Sequence, residues 1–153
     1  RMRTFSKAYG LAGMRCGYAI GEAETIRAFD KVRNHFGMSR MSQVAAAAAI
    51  GDQDWLSDVL GRIADGRRRI GEIAAANGLG ALPSATNFVT IDCGADGAYA
   101  MKVMQSLIAR DVFVRKPMAP GLDRCIRVSC GPEPELAIFA EELPGALAAA
   151  RGN

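Results

Sequence analysis

From Gln53 to Asn77 apolar side chains return near the helical period, at Trp55, Leu56, Val59, Leu60, Ile63, Ile70 and Ile73, and no proline interrupts them. Asn77-Gly78 offers a left-handed stop, and Pro83 in the turn-like stretch Gly80 to Ser84 is unfit for continued helix. So long a helix between two chemically distinct stretches reads as a connector. We therefore expect three parts: residues 1–50 as the end of one domain, residues 51–78 as an interdomain helix, and residues 79–153 as a smaller α/β domain.

The flanking stretches support an α/β class. Met14 to Ile20 reads as a short strand that carries Arg15. Glu22 to Arg33 has helical spacing, with carboxylates early and bases late as the helix dipole prefers. Ser39 or Ser42 is a candidate cap for the alanine-rich run Val44 to Ile50. Beyond the long helix, strand and helix alternate. Asn87 to Cys93 reads as a strand, Gly97 to Arg110 as a helix capped by Asp96, Val112 to Arg115 as a short strand, and Cys125 to Cys130 as a strand. Alternation on that last strand turns Ile126 and Val128 one way and Cys125, Arg127 and Ser129 the other. A closing helix starts near Pro132 to Glu135, and Pro144 should kink or end it.

Composition narrows the function classes. With 50% apolar and 23% charged residues the chain is not disordered, and no apolar run is long and charge-free enough to span a bilayer. A formal charge of +3, with bases spread out and not striped with aromatics, argues against nucleic-acid binding, and Arg67, Arg68 and Arg69 read as a solvated helix face. Cys16, Cys93, Cys125 and Cys130 lack CxxC spacing and His35 has no near ligand partner, so we expect reduced structural thiols, no metal site and a cytoplasmic protein. The chain opens on Arg1 and runs at once into its most chemically loaded segment, which reads as part of something longer.

That segment is RTFSKAYGLAGMRCGY, Arg3 to Tyr18. It combines the amine of Lys7, the hydroxyls of Thr4 and Ser6, three glycines and the guanidinium of Arg15. A lysine whose ammonium is made easy to deprotonate can form a Schiff base with a carbonyl compound. Arg15 can clamp phosphate oxygens with parallel donors, and the hydroxyls can fill the remaining acceptor sites. The set suits a phosphorylated carbonyl compound.

Taken together, Thr4, Ser6, Lys7, the Gly10-Leu11-Ala12-Gly13 turn, Arg15 and Gly17-Tyr18 resemble the cofactor-lysine segment of the class I/II, fold-type-I aminotransferases, closest to their histidinol-phosphate aminotransferase-like branch. PSATNFVTID (Pro83 to Asp92) resembles the strand that opens the small domain of this family, and CIRVSCGPEPEL (Cys125 to Leu136) its last strand and final helix. The resemblance implies the C-terminal portion of a fold-type-I transferase: the end of the large cofactor-binding domain, a long connecting helix and a small α/β domain. It implies pyridoxal 5'-phosphate as cofactor, with Lys7 catalytic and Thr4, Ser6 and Arg15 anchoring the phosphate. Arg127, and Arg115 of VFVRKPM, would bind the substrate carboxylate or phosphate. The implied activity is ping-pong transamination of an amino acid or a phosphorylated amine such as histidinol phosphate, in a cytoplasmic homodimer of amino-acid metabolism.

The implied partners are small-molecule amino and keto acids, a missing N-terminal part of the same protein, and a second copy, with no nucleic acid or membrane. The residues that hold the cofactor ring would lie upstream of Lys7, so this chain by itself is expected to be inactive. The segment NHFGM (Asn34 to Met38) departs from the pattern of the histidinol-phosphate branch. Two further readings remain: a decarboxylase of the same fold, of the threonine-phosphate type, and an aminotransferase-like sensor domain of a transcription regulator.

Overall fold

The computed structural model describes residues 1–152; Asn153, the last residue of the expected small domain, lies outside the described residues. The chain divides into two compact units, Arg1–Leu60 and Gly61–Asn153.

In the first unit β1 (Met2–Thr4) pairs antiparallel with β2 (Gly17–Ala19), from Met2 opposite Ala19 to Thr4 opposite Gly17. Gly17 is required there, because a Cβ on it would sit 2.5 Å from the Arg3 carbonyl oxygen. The strands close a loop that carries Lys7 and the single 3₁₀ turn Ala12–Met14. Phe5 anchors this loop. Its side chain is buried between the rings of Tyr9 and Tyr18, at 4.8 and 5.6 Å, and its backbone bonds to Cys16 and Leu11 at 3.2 and 2.9 Å. The helix expected over Glu22 to Arg33 shortens to α1 (Ala23–Ala28) and a 3₁₀ turn, Phe29–Lys31. It buries no residue, and a helix without a packed face propagates poorly.

Next comes α2 (Arg40–Gly51), capped by Ser39, whose Oγ accepts from the Ser42 amide. After Asp52, whose carboxylate accepts from the Trp55 amide at 3.0 Å, α3 (Gln53–Ala76) begins. It ends in the second unit, where Gly78 takes the left-handed conformation (φ 70°).

The second unit is a three-stranded antiparallel sheet in the order β3 (Gly80–Ala81), β4 (Phe88–Asp92), β5 (Cys125–Ser129), with the second half of α3, α4 (Gly97–Ile108) and α5 (Glu133–Arg151) packed together with it. Register explains its core. Val89 opposes Val128 and Ile91 opposes Ile126, so four apolar side chains share one face and meet Ile70, Leu107, Phe139 and Leu143 from the helices. Phe88, Thr90 and Arg127 are left for the other face. Asp96 caps α4 through the Tyr99 amide.

Local expectations fail at three places. Arg15 lies outside any strand and closes the 3₁₀ turn with a left-handed φ of 49°. Gly80 and Ala81 form a strand and not a turn, because Asp92 and Ile91 pair with them. Val112 to Arg115 forms no strand. Asp111 is left-handed (φ 61°) and Pro117 lacks an N–H, so pairing is limited to one bridge, Arg115 opposite Arg127. Of the two outcomes expected at Pro144, a kink or an end, the helix does not end there: α5 runs through it, held by buried Leu143, Ala146 and Leu147 around it.

All four cysteines are free. Burial, first of all, pushes the Cys93 thiol up to about 11, so it stays protonated at neutral pH. No helix among the described residues is long and apolar enough to cross a membrane.

Candidate active site

The Lys7 loop is built from backbone bonds that leave its side chains available. The Gly10 amide donates to the Lys7 carbonyl at 2.9 Å, and Gly10, at φ 70°, takes a turn conformation that a side chain would strain. Lys7 itself is exposed, and its amine has no hydrogen-bond or ion-pair partner among the described residues. Thr4 Oγ1 accepts from the Ser6 amide at 3.0 Å, which fixes the bend into Lys7. Arg15 Nη1 donates to the Ala12 carbonyl at 2.8 Å and lies 3.5 Å from Ser6 Oγ. The hydroxyl and guanidinium expected from sequence to share one ligand are thus neighbours, one residue before the lysine and eight after it.

The second unit brings its two expected arginines together. Arg115 donates its amide to the Arg127 carbonyl at 3.1 Å, and Arg127 returns the bond at 2.6 Å. Residues that exchange both bonds in an antiparallel pair project their side chains on the same face. Arg127 is half-buried, with its guanidinium carbon 4.5 Å from the centre of the Phe88 ring; Arg115 is exposed.

Charge pairing divides the arginines, and the three of the candidate site fall on the unpaired side among the described residues, together with others such as Arg3 and Arg40. Arg33, Arg68, Arg69, Arg110 and Arg124 each meet a carboxylate. Arg15, Arg115 and Arg127 meet none among the described residues. The Arg67 to Arg69 run is structural: Arg67 donates to the Thr86 carbonyl at 2.9 Å, Arg68 pairs with Asp65 and Glu72, and Arg69 with Glu133. Two like charges set opposite each other on a sheet repel, an arrangement suited to receiving an anion.

Two supporting residues are not apparent from the sequence. Phe88 lies beneath Arg127, and the Asn87-Phe88 pair alone gives no sign of it because the contact depends on the β4–β5 register. Ser42, 5% exposed, is buried, and its hydroxyl donates to the Met14 carbonyl at 2.7 Å. The sequence marks it only as one of two candidate caps and gives no sign of its bond to Met14.

Comparison with known proteins converges on one family. The family model of aminotransferase class I and II matches residues 1–143. A histidinol-phosphate aminotransferase of Bacillus licheniformis is 36% identical over 146 residues, covering 95% of this chain and 40% of that protein. The crystal structure of histidinol-phosphate aminotransferase from Sinorhizobium meliloti in complex with pyridoxal-5'-phosphate superposes with a TM-score of 0.93 at 51% identity, over 97% of this chain and 41% of that one. L-threonine-O-3-phosphate decarboxylase from Porphyromonas gingivalis shares the fold with a TM-score of 0.78 at 17% identity, over 96% of this chain and 46% of that one. The chain spans about 40% of the length of the curated relatives it matches. With an α/β fold shared with fold-type-I aminotransferases and a family match across nearly all of its length, this chain belongs to the aminotransferase class I and II family.

Proposed function

We propose that the full-length protein carrying this chain is a pyridoxal-phosphate-dependent aminotransferase, acting on an amino acid or a phosphorylated amine such as histidinol phosphate, with Lys7 as its catalytic residue. The observation that carries this reading is the gathering of Lys7, Ser6, Thr4 and Arg15 on one anchored loop. Relatives at 36–40% identity that are histidinol-phosphate aminotransferases support it.

The donor set fits the cofactor. Its phosphate needs a cation without a counterion and hydroxyls near it, and Arg15 with Ser6 and Thr4 would hold it. When bound, pyridoxal phosphate supplies an aldehyde that combines with amines and a ring that takes up the electrons left when a bond at Cα breaks. Lys7 contributes the amine. With the cofactor bound, the same Nζ would be the base that takes the substrate Cα proton and the acid that returns it. Arg127, with its planar fork over Phe88, and Arg115 opposite it bind the carboxylate or phosphate of the substrate. The same reading makes the protein a cytoplasmic homodimer working on small-molecule amino and keto acids. The decarboxylase likeness, at 17% identity, bears on fold alone, so transamination is the reading we keep.

The test uses the full-length protein, loaded with cofactor, reduced with borohydride and mapped by peptide mass. Label on the Lys7 peptide is expected, and its loss in Lys7→Ala. Label that persists in Lys7→Ala removes Lys7 from its role. Incubation with histidinol phosphate and a keto acid should yield a keto product; carbon dioxide without keto product would sink transamination.

A further inference from the structure

We infer that Ser42 is a positioning residue for phosphate binding, acting through the backbone of Arg15; this rests on the reading of the Lys7 loop as a pyridoxal-phosphate site. Ser42 is the buried polar side chain of its unit, at 5% exposure, and its bonding is fully determined. Its hydroxyl has one proton, and the Met14 carbonyl at 2.7 Å can only accept, so that proton goes there. The Ser39 hydroxyl, 2.9 Å away, must then donate to Ser42 Oγ while accepting from the Ser42 amide at 3.1 Å. The N-terminus of α2 therefore holds Ser42 rigidly, and Ser42 in turn holds one carbonyl.

That carbonyl belongs to the peptide that enters Arg15. Arg15 is left-handed, at φ 49° and ψ 46°, a conformation that disfavours any residue with a Cβ and persists only when its surroundings impose it. The Arg15 amide reaches only a long 3.5 Å bond to Ala12. The Ser42 bond is shorter and buried, so it is the stronger restraint on the orientation of the Met14–Arg15 peptide. With the peptide held, the Arg15 side chain runs back over Ala12 to Ser6 Oγ. Without it, Arg15 relaxes out of the left-handed region and its guanidinium leaves the hydroxyl beside Lys7.

The experiment measures equilibrium binding of pyridoxal phosphate and of pyridoxal, which lacks the phosphate, to the full-length apoprotein. The wild type should prefer the phosphorylated form. Ser42→Ala should lose about tenfold of that preference, the equivalent of one buried hydrogen bond, while pyridoxal affinity holds. Ser42→Thr, which keeps the hydroxyl, should restore it. In an Arg15→Ala background, Ser42→Ala should change the preference little further, because the two act in series. An unchanged preference in Ser42→Ala, an equal loss for both ligands, or additive effects with Arg15→Ala would each overturn the inference. A wild type that does not distinguish the two ligands overturns instead the phosphate site on which it rests.

Discussion

Arginine pairing is the most informative property at the scale of single residues. A guanidinium beside a carboxylate is already neutralised, whereas Arg127 rests on an aromatic face and meets no carboxylate among the described residues. Removing it takes away a charge-assisted fork worth about 1.5–3 kcal/mol. Arg127→Ala should therefore raise KM for anionic substrates by about ten- to a hundredfold, with cofactor binding unchanged. Phe88→Leu keeps the bulk and removes the ring quadrupole, about 0.5–1 kcal/mol at a partly exposed site. Its KM should rise only about two- to fivefold, with kcat retained. Steady-state kinetics separates the two, and equal effects would mean that Phe88 acts by packing and not by its charge distribution.

Asp92 behaves differently. The Gly94 amide, donating at 2.9 Å, and the Arg124 guanidinium beside it hold its carboxyl below the ordinary 3.8 against the opposing effect of burial. A lowered folded value means that the stabilisation is complete above about pH 4 and is lost as pH falls through the folded value. Asp92→Asn should flatten the acid limb of a plot of Tm against pH and leave the neutral region nearly parallel to wild type.

At the scale of elements, α5 shows tertiary packing prevailing over local chemistry. Pro144 has no N–H to give the Ala140 carbonyl and crowds the preceding turn, at a cost of about 3 kcal/mol in a helix interior. The helix continues because Leu136, Phe139 and Leu143 before the proline, and Ala146, Leu147 and Ala150 after it, are buried in one core. Pro144→Ala should raise stability by about 1–3 kcal/mol, read from the urea midpoint at unchanged m-value. A loss would point to the rigidity the ring gives the unfolded chain, since Pro144 is exposed and fills no space in that core.

The same contrast explains what is and is not legible in the sequence. Caps and periodicity are local, so the cap Asp96, the cap of α2 as one of Ser39 and Ser42, and the extent of α3 can be read from neighbouring residues alone. Small and apolar residues alternate around Arg15 as they would on a strand, but it is left-handed, and the carbonyl before it is bonded by Ser42, distant along the chain. Val112 to Arg115 has strand-forming residues, yet Asp111 and Pro117 confine its pairing to one bridge. For the candidate site, residue identities are legible through a resemblance and their partners are not. The opposition of Arg115 and Arg127 follows from a pairing between distant segments that no periodicity encodes.

At the scale of the whole chain, the two units differ in how much apolar surface they bury. The core cluster comprises eighteen buried residues, every one in Gly61–Asn153. In Arg1–Leu60 the buried apolar side chains are Phe5 and Cys16, while Met2, Val32, Phe36 and Met41 are 72–91% exposed. Burial sets the free energy of local opening, so the units should open independently of one another in hydrogen exchange. In the 153-residue chain, amides of β4, α4, β5 and the second half of α5 should exchange slowest. Those of α1 and the Asn34 to Met38 segment should exchange fastest, because α1 buries nothing and the amides of Phe36 and Gly37 donate only within a turn at Asn34. The Lys7 loop belongs between these extremes, since Phe5 and the bonds from Leu11 and Cys16 tie it down. Mass spectrometry of exchange at peptide resolution measures all three. Protection spread evenly over both units would mean that the first gains its stability from something other than the burial described, and that α3, which runs from one to the other, couples their opening.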